Sequence, residues 1–322
     1  MFKVALIGIG GMGGHHFNVY KSIEGCKVVA VADVRTDMAK EKVNDESVHI
    51  YSDMDDLLAN ETVDMVDICT PSYMHADMSI KALQMGINTL SEKPMTVNSA
   101  DAERIIEAAE KSDAKFMVAH VVRFMAPYAY LADEIKKGGM GELLRLDMKR
   151  VGGIPRWSWE DWMRDCKKSG GTPIDLSIHD IDFVQSVLGQ PDEINGVYHK
   201  MNNDNDFIVA NMTFDKTVVS TEGTWYNCDL PFDASFRAVF QNGYIQLKDN
   251  KLYKNGEEVE LNAPDEHIDS GINVSGTDGY ATEIKYFIDC VKNNVSPDFV
   301  SPESSKTSVS LVERIIENSI IL

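Results

Sequence analysis

Positive charge is what this chain has least of: 31 Lys and Arg stand against 51 Asp and Glu, a formal net charge of -20. Such a field repels phosphate backbones and anionic lipid headgroups, so neither nucleic acid nor a membrane surface is expected as a partner. Any anionic ligand must be held by local donors. Cysteine is sparse too. The five (Cys26, Cys69, Cys166, Cys228 and Cys290) are scattered, with no CxxC pair. That excludes a disulfide framework and the usual zinc spacings, leaves no metal to expect, and suits a reducing cytoplasm. No apolar run approaches the ~18 residues of a membrane span, and the first, residues 4–9, is too short for a secretory signal core.

What remains is ordinary for a globular protein. With 322 residues, 43% hydrophobic and 25% charged, the chain has room for two domains with proper cores. The first third alternates short apolar runs (3–9, 27–32, 63–69, 87–90, 116–119) with helix-length patterns (12–22, 36–43, 73–85, 99–111). Nearly all-apolar strands separated by helices describe a doubly wound parallel sheet covered on both faces. After residue 122 the pattern changes. A helix (127–137) and a run at 143–151 lead to a Trp-rich irregular stretch and a helix ending near Gly189. Strand-like runs then follow in series at 207–214, 217–225, 234–241 and 244–247, with an Asn255-Gly256 hairpin in 251–259 and two closing helices at 280–292 and 303–318. The expected fold is thus α/β: residues 1–122 as a doubly wound, Rossmann-type domain, and 123–322 as an α+β domain with a mostly antiparallel sheet.

Gly8-Ile9-Gly10-Gly11-Met12-Gly13 is a GxGxxG placed between the first strand and the first helix, with Asp33 about twenty residues on at the end of the second strand. In that context Gly8 permits the turn, Gly10 admits a pyrophosphate, Gly13 lets helix and strand close up, and the helix start, with Gly11 and Met12, receives the anion. Asp33 suits ribose hydroxyls and repels a 2′-phosphate, which favours NAD over NADP; Arg35 weakens that preference. Ligands of such sheets bind beyond the carboxyl ends of the strands. Two ends carry unusual residues: Thr70-Pro71 with His75 close behind, and Glu92-Lys93-Pro94. A further helix carries Asp175, His179 and Asp182 at i, i+4 and i+7, along one face beside Ile174, Ile178 and Ile181, while Asp180 is expected in solvent. Histidine is suited to accepting a hydroxyl proton near neutrality, and a carboxylate one turn away can orient it.

Together these segments resemble the Gfo/Idh/MocA family of oxidoreductases over essentially the whole chain. The glycine motif is common to many dehydrogenases; Glu92-Lys93-Pro94 together with Gly170-Gly171 and Asp175-x-x-x-His179 is more specific. The resemblance implies a large open sheet through which subunits associate, as a homo-oligomer (dimer or tetramer). It implies that Lys93 is the catalytic lysine, with Asp175 and His179 the substrate-binding and acid/base pair. Arg123, Trp157 and Tyr280 fall where substrate contacts are common. His120-Val121-Val122 and Thr172 depart from the commonest forms, which puts substrate identity in doubt more than the chemistry. The implied reaction moves a hydride between a nicotinamide cofactor and a secondary hydroxyl or ketone of a sugar, cyclitol or related polyol. Three alternatives stay open: an NAD-dependent glycosidase or lyase with transient internal redox, a non-catalytic sensor of NAD or sugar, and a structural or interaction protein, which only the open sheet supports.

Overall fold

The computed structural model describes residues 1–202, 204–261 and 279–322. The chain divides into two compact units. One takes in Met1–His120 and returns for Tyr280–Lys306; the other contains Val121 onward and the end of the chain from Thr307. In space Tyr280–Lys306 thus group with the first unit, whereas a single cut after residue 122 groups them with the second.

In the N-terminal unit the strands are β1 (Phe2–Ile7), β2 (Cys26–Ala32), β3 (His49–Tyr51), β4 (Met65–Ile68), β5 (Asn88–Glu92) and β6 (Phe116–Ala119). The helices are α1 (Gly11–Ser22), α2 (Thr36–Val43), α3 (Met54–Asn60), α4 (His75–Gln84) and α5 (Ser99–Glu110). All paired strands run parallel, in the order β3-β2-β1-β4-β5-β6. The order reverses between β1 and β4, so the crevice beyond their carboxyl ends is the topological switch point. Burial explains the all-apolar strands: Val4, Leu6, Val31 and Val66 are fully enclosed. Helix starts follow local capping. Asp53 accepts the Asp56 N–H at 2.9 Å ahead of α3, and Asn98 accepts the Asp101 N–H at 2.9 Å ahead of α5. β1 stops at Ile7, two residues short of its apolar run, because Gly8 turns the chain.

The second unit carries α6 (Ala126–Lys137), β7 (Leu143–Gly153), the short α7 (Cys166–Ser169) and α8 (Ile178–Leu188). Next come β8 (Glu193–Asn202), β9 (Asn205–Phe214), β10 (Thr217–Tyr226), β11 (Asp233–Phe240), β12 (Gly243–Lys248), β13 (Lys251–Lys254) and β14 (Glu257–Glu258). After α9 (Gly279–Lys292), which lies almost wholly in the first unit, α10 (Pro302–Glu317) and β15 (Ser319–Ile321) end the chain. The nine strands form one open sheet, β14-β13-β12-β11-β7-β10-β9-β8-β15. It is mostly antiparallel, with β7/β10 and β8/β15 parallel. Asn255 and Gly256 both adopt positive φ, at 54° and 88°, and turn the β13–β14 hairpin as their sequence requires.

Against expectation, Asp180 is not in solvent. It is 1% exposed, and its Oδ1 accepts from Arg150 Nη2 at 2.8 Å; that same nitrogen also donates to the Tyr128 hydroxyl at 3.1 Å. Burial of Arg150 disfavours its charge, but Asp180 and Tyr128 outweigh that and raise its pKa above the ordinary arginine value. Removing one partner of a buried pair strands the other. Asp180→Ala is expected to lower the unfolding free energy by about 3–5 kcal/mol, read as a lower urea midpoint with unchanged slope.

Candidate active site

The glycine loop is shaped by contacts that leave no room for side chains. A Cβ on Gly13 would stand 2.0 Å from the Gly8 carbonyl oxygen, and one on Gly8, at φ +85°, would stand 2.8 Å from that of Cys69. α1 therefore packs directly against the end of β1. Gly10 differs: the nearest group to its missing Cβ is the Arg35 guanidinium at 3.9 Å, so the backbone is open to approach. No side chain caps α1, which leaves the first-turn N–H groups of Gly11 and Met12 at an anion-receptive helix start. Asp33, at the end of β2, accepts the Ile9 N–H at 3.0 Å through Oδ2. Its Oδ1 accepts the Arg35 N–H at 2.9 Å and Arg35 Nε at 3.3 Å. Lys42 Nζ donates to the Ile9 and Gly10 carbonyls at 3.1 and 2.8 Å, and burial holds its pKa below the ordinary lysine value. Lys42 carries no sequence signal, because α2 brings it back to the loop from 32 residues away. An open glycine, an uncapped helix and a fixed carboxylate fit the adenosine diphosphate portion of a dinucleotide.

The loops after β4 and β5 leave the same carboxyl edge. His75 joins them: Nδ1 lies 2.7 Å from the Pro94 carbonyl oxygen and Nε2 2.9 Å from that of Thr70. Burial pulls its pKa below the ordinary 6.5, and a neutral ring donates to only one of the two carbonyls at a time. Thr70 and Pro71 are half-buried beside the glycine loop. A Cβ on Gly8 would meet the Thr70 methyl at 3.2 Å. Glu92, 6% exposed, turns its Oε2 back to accept the Lys93 N–H at 2.9 Å.

Beneath the loop lies a polar cluster that sequence reasoning missed. His16, fully buried, faces Asp67 Oδ2 with Nδ1 at 2.8 Å and Glu92 Oε1 with Nε2 at 3.1 Å. The latter is an ion-pair contact rather than a well-directed hydrogen bond. The Tyr20 hydroxyl donates to Asp67 Oδ2 at 2.8 Å, and Cys69 Sγ lies 3.4 Å from His16 Nδ1. The His16, Asp67 and Cys69 donor atoms sit within 4.8 Å of one another, a closeness their mutual hydrogen bonds account for. Burial works to lower the His16 pKa, yet Cys69 and Asp67 raise it well above 6.5. Because burial and Asp67 push the Cys69 thiol far up, it stays protonated near neutrality, and the carboxylate is what charges the imidazole. Burial likewise works against ionised Glu92, but His16 and Lys93 hold its pKa below the ordinary 4.5. Tyr280, on α9, is 6% exposed and sets its ring edge-on to His15 and His16, at 4.6 and 5.9 Å between centroids.

In the other unit Asp206, on β9, organises the segment before α8. Its Oδ2 accepts the Thr172 N–H at 2.6 Å and its carbonyl accepts the Thr172 hydroxyl at 2.9 Å. A Cβ on Gly171 would fall 2.7 Å from that carboxylate. Pro173–Ser177 then form a π-helical turn that runs into α8. This wider turn is the kind of irregularity often found at functional sites. It carries buried Asp175, and half-buried His179 follows in the first turn of α8. Asp182, the third of the expected trio, is held from outside α8. Its carboxylate takes a two-point contact from Arg123, at 2.7 and 2.6 Å, and the Ser308 hydroxyl at 2.8 Å. Trp157 is 62% exposed in the irregular stretch after β7.

Comparison with known proteins adds two family matches. Residues 2–120 match the Gfo/Idh/MocA family model described as an oxidoreductase family NAD-binding Rossmann fold, and residues 132–319 match its C-terminal alpha/beta domain. The chain is 29% identical over 218 residues to a 2,7-anhydro-N-acetylneuraminate hydratase of Mediterraneibacter gnavus; the match covers 65% of this chain but only 58% of that relative. It is 27% identical to a myo-inositol 2-dehydrogenase of Thermotoga maritima over 96% of this chain and 93% of that one. An oxidoreductase from Agrobacterium radiobacter, solved in complex with NAD+, L-tartaric acid and magnesium, superposes with a TM-score of 0.84 at 18% identity, over 98% of this chain and 96% of that one. At that identity the likeness is one of fold.

The raised folded-state pKa of His16 has a stability consequence. Its pairing with Asp67 and Glu92 stabilises the fold fully below about pH 6.5, the unfolded value, and is lost as pH rises through the raised one. The thermal midpoint is expected to fall on the alkaline side of neutrality, and less so in His16→Asn; equal declines in both proteins would exclude His16 as the cause.

Proposed function

The chain belongs to the Gfo/Idh/MocA family of NAD-binding oxidoreductases, and on that premise we propose that it is a dehydrogenase acting on a secondary hydroxyl of a cyclitol or sugar. One observation carries the reading: the open glycine loop after β1, Thr70-Pro71 after β4 and Glu92-Lys93 after β5 all leave the carboxyl edge of one parallel sheet, flanking its switch point. The myo-inositol 2-dehydrogenase aligned along nearly the full chain supports a polyol substrate.

When bound, NAD supplies the hydride acceptor or donor. The protein's part is binding, position and field. The Gly10 backbone and the start of α1 receive the pyrophosphate. Asp33, fixed by the Ile9 and Arg35 N–H groups, receives the adenosine ribose. We favour NAD over NADP, because this carboxylate repels a 2′-phosphate and draws the Arg35 side chain to itself. Lys93, as a cation, stabilises negative charge developing on the reacting oxygen, His179 takes or returns the hydroxyl proton, and Asp175 orients substrate or imidazole. Trp157 is available for substrate contact. Tyr280 backs the histidines of α1, and Arg123 acts through Asp182 as support for α8.

The relative named a hydratase favours a second reading, in which the same residues oxidise and then re-reduce one substrate with no net NADH. A homo-oligomer formed through the outer face of the nine-stranded sheet fits the exposed Val209 and Val218 on neighbouring strands. The five free, dispersed cysteines fit a cytoplasmic location.

The test is NADH formation from a panel of inositols and aldoses, with NAD or NADP supplied. Sustained NADH from one polyol, faster with NAD, is expected. Lys93→Met should lower kcat by about 10²–10³ and His179→Asn by about 10²–10⁴, with NAD affinity kept within about threefold. Wild-type turnover in either variant would remove that residue from the mechanism, and tight NAD binding without net NADH would select the internal-redox reading.

A further inference from the structure

Hydride transfer gives His16 no direct role, yet among the described residues no ionisable side chain of the N-terminal unit is more deeply enclosed, and it faces two carboxylates. We propose that His16 is a positioning residue for Lys93: clamped between Asp67 and Glu92, it fixes the Glu92 carboxylate that receives the Lys93 N–H, and so sets where β5 delivers the lysine. The inference rests on the reading of Lys93 as the catalytic cation.

The relay can be followed atom by atom. The Tyr20 hydroxyl, from α1, donates to Asp67 Oδ2, which also receives His16 Nδ1. His16 Nε2 faces Glu92 Oε1, and Glu92 Oε2 accepts from the Lys93 backbone. A neutral imidazole has one N–H and one lone pair, and a lone pair turned toward either carboxylate would be repelled. Both nitrogens therefore carry protons in this arrangement, which agrees with the raised pKa. The other groups facing the ring are the protonated Cys69 thiol and the edge of Tyr280 from α9. The charge of Lys93 acts on the Glu92 end of the clamp. Two carboxylates held by one imidazolium, with all three enclosed, leave little freedom to the strand end that they grip.

The clamp also joins two functions. His16 lies three residues beyond Gly13 on the helix whose start is assigned to the pyrophosphate, while Glu92 precedes Lys93 directly. The cofactor loop and the lysine are thus referenced to each other through side chains rather than only through the sheet. A displacement of about 1 Å of a reacting group can cost about 100-fold in rate, so such a reference is worth keeping.

The test compares His16→Asn, Glu92→Gln and Lys93→Met in the full-length protein, using the polyol from the panel that gives the fastest NADH formation. We expect Lys93→Met to be nearly inactive. The other two should each lose at least about tenfold in kcat while KM and NAD affinity, read by tryptophan fluorescence, stay within about threefold. Competitive acetic anhydride labelling supplies a readout that needs no turnover: Lys93 reactivity should change by at least about threefold in both variants, with Lys115 as the unchanged reference. If Lys93→Met is inactive but both clamp variants keep wild-type kcat and Lys93 labelling, the clamp proposal is wrong and the role of Lys93 stands. Loss of NAD affinity in step with kcat would mean a structural role only, and would also overturn it. Full activity in Lys93→Met would instead remove the reading on which the proposal rests. Should His16→Asn fail to fold, Glu92→Gln decides.

Discussion

The contact on which most of the N-terminal unit depends is the one between the first turn of α1 and the end of β1, where not even a methyl group fits between Gly13 and the Gly8 carbonyl. This closeness does more than shape the glycine loop. It brings α1 down onto the sheet so that its inward face, His16 and Tyr20, reaches Asp67 on β4 and Glu92 on β5. A buried imidazolium between two carboxylates is tolerable only because every charge has a partner. The close-packed glycines thus also make a charged cluster beneath their loop geometrically possible.

The second unit meets a similar demand with a different device. Asp175 and His179 sit where a π-helical turn passes into α8, and such a turn has weaker claims on its own shape than an α-helix. What holds it lies outside. Asp206 grips Thr172 from β9, and β10 comes so close that a Cβ on Gly223 would lie 1.9 Å from the Ser177 hydroxyl. Farther along, Arg150 holds Asp180, and Arg123 with Ser308 holds Asp182. Burial raises the Asp206 pKa against the hydrogen bonds that favour its charge. It is a strained acceptor whose retention makes sense as an anchor for the turn.

How much of this could be read from the sequence follows from the range of each interaction. The glycine motif, Asp33, the strand-end loops and the Asn255-Gly256 hairpin depend on neighbours or on a single βαβ unit, and their residue types announced them. The polarity of the helix carrying Asp175 and His179 was legible as well, but the assignment of its acids was not. Spacing alone grouped Asp182 with His179 and sent Asp180 to solvent, whereas partners 59 and 30 residues away, Arg123 and Arg150, decide both. The cluster around His16 escaped for the same reason, since its members come from α1, β4 and β5 and look separately like a helix histidine and two ordinary acids. Other elements were also missed. β3 and α3 carry too few residues for a period to show, β8 alternates only weakly in burial, and the terminal β15 is a three-residue edge of the open sheet.

The return of α9 to the first unit has a consequence for the order in which the protein can be made. Ile284, Phe287 and Ile288 on that helix are enclosed, its Tyr280 backs His15 and His16, and Lys292 lies over the Phe2 ring at 5.6 Å. The strands of the first unit therefore wait for a helix made after most of the second unit. A nascent chain of 120 residues has its six parallel strands but lacks the helix that packs on α1, so the dinucleotide fold is completed only after β7 to β14 have been synthesised. A gene truncated anywhere before that helix encodes an N-terminal domain with an open seam rather than a smaller cofactor-binding protein.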